Sequence, residues 1–149
     1  MSQIYESLNL SDAKCMLEAA ERRADQFGIA YNAAVVDAGG HLLAFSRQDG
    51  ALIGSIDIAI SKAYTARIFD TSTEVLATLA RPSGPLYGIQ QTNRGHVVIF
   101  GGGIPVVRNG LVIGAVGASA GTVEQDIAVA EAAVNAVLTS AHADRVDHD

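Results

Sequence analysis

Apolar residues recur at three- and four-residue spacing from Leu10 through Ala13, Leu17, Ala20 and Ala24 to Phe27, which predicts an amphipathic helix over 11–27. Ser11 is placed to cap its start and Gly28 to end it. The period then changes. Residues 29–37, IAYNAAVVD, read as a strand, AGG as a turn, and residues 41–47, HLLAFSR, as the returning strand of a hairpin. A second helix is expected from Gly54 to Phe69. A short third one is expected after Thr71, because Thr71 and Glu74 have capping-box spacing. Residues 81–95 are broken by two prolines and three glycines and read as a long irregular connection. Strands are expected next at 96–100, 104–108 and 111–119, the last two joined by Asn109-Gly110, a strong type I′ turn signal. A final helix runs from Val123 to Leu138, with Thr122 as its cap and Gln125 at the capping-box position.

The order α-ββ-α-(α)-βββ-α, with strands joined by tight turns, predicts an α+β domain over residues 1–140 built on five antiparallel strands. Residues 141–149 read as a flexible polar tail. Its His142 and His148 have no fixed neighbours, and no metal site is expected.

Composition narrows the function. With 149 residues the chain can bury a core without staples. The net charge of −6 argues against nucleic acid and anionic membrane as partners. No apolar run approaches the ~20 residues of a membrane span. A single cysteine, Cys15, allows no internal disulfide. The polar N-terminus carries no leader pattern, so a cytoplasmic location is expected.

Residues 116–121, VGASAG, contain G-x-S-x-G between a strand and a helix, the layout of a nucleophile elbow. A hydrolase elbow needs its acid and histidine downstream on a parallel sheet. Here one helix takes up most of the chain beyond Ser119, so a triad is excluded. FGGGIP is not a dinucleotide fingerprint either, because a proline and a strand come directly after it. Gly114 and Gly117 inside a strand instead indicate close backbone approach. On the second helix, Ile56, Ile60 and Ala63 form the expected buried stripe. Ser55, Ala59, Lys62 and Ala66 form another line on one narrow face. Its small side chains and its lysine suggest a floor where a carboxylate of a ligand or of a partner chain could be met. Arg47 and Asp49 close the first hairpin, Asp37 begins its turn, Asp126 lies in the first turn of the last helix, and His41 and His96 open strands. Each also has a plain structural reading: turn chemistry, surface pairing or a helix-dipole contact.

Taken together, AVVDAGGHLLAFSRQDGA, SIDIAISKAYTARIF and GGGIPVVRNGLVIGAVGASAGTVEQD resemble the GlcG/HbpS-like family over roughly residues 10–138. This family includes glycolate-utilisation accessory proteins, haem-binding HbpS proteins and the C-terminal domain of PduO-type proteins. The resemblance implies a profilin-like five-stranded antiparallel sheet flanked by helices, assembly into a homo-oligomer, and haem or a related small molecule as ligand. The first helix carries no histidine, which leaves His41 and His96 as haem-ligand candidates. The expected pocket lies between Gly101, Gly102, Gly103, the stretch Gly117–Ser119–Gly121, the Lys62 face and the Arg47–Asp49 segment. A second reading is a metal-independent isomerase, tautomerase or lyase acting on an oxo-acid. There Lys62 and Arg47 would hold a carboxylate or enolate, and Asp126 or Asp37 would move a proton. A third is an accessory protein without chemistry of its own.

Overall fold

The computed structural model describes the backbone of residues 1–146 and the side chains of residues 1–139. The expected tail, with His142 and His148, lies outside the described side chains. Helix α1 spans Leu10–Phe27, strands β1 and β2 span Asn32–Asp37 and Leu42–Arg47, and helices α2 and α3 span Gly54–Ile68 and Thr73–Leu79. Strands β3 and β4 span Gly103–Arg108 and Leu111–Ser119, and helix α4 spans Val123–Val146, past the expected end at Leu138.

Local chemistry sets the element ends. The α1 cap is Asn9, not Ser11: its side chain accepts from the Asp12 N–H, and Asp12 accepts from the Asn9 N–H in return. Gly28 closes the helix at φ 68°, a left-handed conformation that suits glycine. Ser72, not Thr71, caps α3 by accepting from the Val75 N–H. Thr122 and Gln125 form the expected reciprocal cap of α4. Asn109 and Gly110 both take positive φ, as a type I′ turn requires.

Among the described residues the sheet has four strands in the order β2-β1-β4-β3, every pair antiparallel. The fifth strand expected at 96–100 does not form. The Val98 N–H donates to the Thr65 hydroxyl on α2, so it is satisfied outside any ladder. Alternation along β1 sorts the core into two layers. Ala33 and Val35 pack with α1 and α4, while Ala34 and Val36 pack with α2. The sheet is therefore covered on both faces. Cys15 is half-buried on α1, on the face away from α2.

Candidate functional site

The expected pocket is closed by the chain itself. A Cβ added at Gly117 would stand 2.0 Å from the Ala59 carbonyl oxygen and 2.6 Å from the Ala63 nitrogen. One at Gly103 would stand 2.4 Å from the Lys62 carbonyl oxygen. These glycines let the α2 backbone seat directly on β3 and β4, which is the close approach their positions in a strand suggested. The Ser55, Ala59, Lys62 and Ala66 line is the face that seats there, and all four residues are buried. Ile56 and Ile60, expected inside, are only half-buried.

Lys62 has no exposed surface. Its ammonium donates to Asp126 Oδ2 at 2.7 Å and to the Ala118 carbonyl at 2.9 Å, and the Phe100 ring lies over it at 4.9 Å. Asp126 Oδ1 accepts from the Tyr31 hydroxyl and from the N–H groups of Ala120 and Gly121. Gly121 is needed here: a Cβ would stand 2.6 Å from the Tyr31 oxygen. Burial pushes the Lys62 ammonium below its ordinary pKa, and Asp126 pulls it partly back. Burial and the neighbouring carboxylate both push the Tyr31 phenol up. Asp126 thereby joins α2, the residue just ahead of β1 and the start of α4.

The other expected residues are scattered. Asp37 Oδ1 accepts from the N–H groups of Gly39 and His41, which is turn chemistry. Arg47 and Asp49 line a polar groove with Glu21 and Asp25, apart from Lys62. Ser119 lies buried at the end of β4, paired with Asn32, and among the described residues no hydrogen bond links it to a histidine. His41 is exposed in the hairpin turn.

An open cleft of about 530 Å³ lies on the α2 side of the sheet, within the size range of small-molecule sites. Val36, Leu42 and Ile60 give it apolar walls, and Tyr64, Arg94 and His96 supply chemistry. On α2, Asp57, Ile60, Ser61 and Tyr64 stand at i, i+3, i+4 and i+7 and so share a face. The Tyr64 and His96 rings meet edge to face, 6.4 Å between centroids. Thr65 fixes the segment behind them: its hydroxyl lies within hydrogen-bonding distance of the His96 carbonyl and accepts from the Val98 N–H. Of the candidate site residues named from the sequence, His96 alone lines this cleft. Tyr64 and Arg94 were missed. The signal for Tyr64 was the polar and aromatic spacing along α2. For Arg94, inside the irregular 81–95 connection, no local signal existed.

A haem-degrading, HbpS-like family model matches residues 8–135. The chain belongs to the HbpS-like family. Its relatives include an uncharacterised 15.0 kDa protein of Citrobacter freundii from a dhaT-dhaS intergenic region, 45% identical over 90% of this chain and 94% of that protein. The corrinoid adenosyltransferase PduO of the same organism is 36% identical, but the chain spans only 41% of its length. Among solved HbpS-like structures, Klebsiella pneumoniae protein ORFY superposes with a TM-score of 0.89 at 40% identity, covering 91% of this chain and 94% of that one. A haem complex of the PduO C-terminal part, PduOC, superposes with a TM-score of 0.83 at 37% identity, covering 87% of this chain and 94% of that one.

Proposed function

We propose that this HbpS-like protein binds haem, or a closely similar planar tetrapyrrole, in the cleft beside α2. The observation that carries the reading is the meeting of Tyr64 and His96 in one apolar-walled cleft. Imidazole and phenol are both known donors to haem iron. Val36, Leu42 and Ile60 suit the face of a macrocycle, and Arg94 is a cation at the cleft. His96 would hold the iron, with Tyr64 beside it as a hydrogen-bonding neighbour. When bound, the haem supplies redox and oxygen-binding chemistry. The chain's own residues orient it and limit access of water. A haem complex of a relative at 37% identity supports the same ligand class.

The test is a haemin titration. The wild-type protein should give a shifted Soret band at stoichiometric haemin. His96→Ala should weaken binding at least about tenfold, the scale of one lost strong contact. His41→Ala should leave it unchanged. Absence of any shift in the wild type rejects the reading. The proposal extends to a homo-oligomer, supported by the exposed apolar side chains of Leu52, Ile53 and Tyr87 and checked by sedimentation.

A further inference from the structure

The cleft has two chemically different ends. Asp57 lies in the first turn of α2, and Tyr64 lies seven residues along, about 10 Å away by helical rise. The Tyr64 hydroxyl approaches Asn93, so Arg94 belongs to the Tyr64 end and the Asp57 carboxylate to the other.

Both cations of α2 are paired, Lys62 with Asp126 and Arg67 with Asp70, whereas among the described residues no carboxylate pairs with Arg94. Its backbone is also unusual. Asn93, Arg94 and Gly95 take φ of 51°, 60° and 76°, a left-handed run in which two of the three residues carry side chains. Such conformations persist only where the surroundings hold them, and they gather at ligand clamps. Here the hold is visible. The N–H groups of Gly95 and His96 donate to the carbonyls of Thr92 and Asn93, and Thr65 secures the chain just beyond. Arg94 is thus an unpaired guanidinium on a fixed turn at the rim of an apolar cleft.

We propose that Arg94 is the carboxylate clamp of this cleft and that it sets the ligand's orientation. The acidic edge lies against Asn93–Gly95, and the uncharged edge points toward Asp57. Arginine suits the task because its planar fork meets a carboxylate with two parallel hydrogen bonds. Asp57 adds a repulsive element at the wrong end, so the reversed pose is disfavoured as well as the correct one favoured. The ligand class is therefore a flat apolar molecule with carboxylates along one edge. This inference rests on the haem reading above, and its test separates the two.

The experiment compares haemin with haemin dimethyl ester, in which the carboxylates are masked, by Soret titration of the whole chain. The wild type should bind haemin at least about tenfold more tightly than the ester, the order of one charge-assisted pair. Arg94→Ala should reduce that ratio to below about threefold while leaving ester binding and the melting temperature unchanged. Arg94→Lys should fall between. Asp57→Asn should keep the preference for haemin. Equal wild-type affinity for both compounds, or undiminished discrimination in Arg94→Ala, overturns the clamp and leaves haem binding standing. No Soret shift with either compound overturns the haem reading and the clamp with it.

Discussion

A single methyl group decides whether α2 can seat on the sheet. At Gly117 it would strike the Ala59 carbonyl and the Ala63 nitrogen, both backbone atoms that cannot rotate away. Gly117→Ala should therefore cost about 1–3 kcal/mol or more, the range for overpacking a close-fitted interior. Gly28→Ala is the useful contrast. No atom lies within 4 Å of its added Cβ, and only the left-handed φ of 68° is strained. Its cost should stay near 1 kcal/mol. Urea unfolding of both variants checks the order. Close approach at Gly117 was legible in the sequence because glycine is costly inside a strand. What approached it was not: a glycine records that space is needed but not whether a ligand or a helix fills it.

Helix α2 carries two working faces, and that is why its sequence misled. Apolar periodicity points to the isoleucines, yet Ile56 and Ile60 are half-buried while Ala59, Ala63, Ala66 and Lys62 are sealed against the strands. Seating a helix this close to glycine-bearing strands requires small residues, and these carry little hydrophobic signal. The pattern over 96–100 misled for a related reason: the apolar run Val97–Phe100 suggests a strand, but the Thr65 hydroxyl takes the Val98 N–H that a ladder would need. The hairpins, their turns and the α4 cap were legible because their chemistry is local. The partner of Lys62 was not, since Asp126 lies 64 positions away. Removing that partner tests the join. Asp126→Ala strands a buried ammonium and should destabilise the fold by about 3–5 kcal/mol in denaturant unfolding. A Lys62→Met, Asp126→Leu double variant should lose less than the two single variants summed, because no unpaired charge remains.

For the molecule as a whole, the cluster of Tyr31, Asp126 and Lys62 links both helical layers around the end of the sheet, and it makes stability depend on alkaline pH. The Tyr31 phenol is raised in the folded protein, whereas in the unfolded chain it titrates near its ordinary value of about 10. Its contribution is complete below that pH. Above it the unfolded chain loses protons that the folded one keeps, so stability falls. Lys62, lowered by burial, acts in the opposite sense: between its lowered value and the ordinary one, stability rises with pH. Tyr31→Phe isolates the phenol. The variant should be about 1 kcal/mol less stable than the wild type at pH 8, the size of one hydrogen bond. That gap should close as the pH passes 10, as thermal melts across the range would report. A gap that widens instead would contradict the assignment.

The chain's one sulfhydryl, Cys15, rides on α1, with the whole sheet between it and the cleft beside α2. A fluorescent label attached there would report on the opposite compartment without touching it. Quenching by an absorbing guest would then count occupancy of the cleft, even for guests that leave the Soret spectrum unchanged.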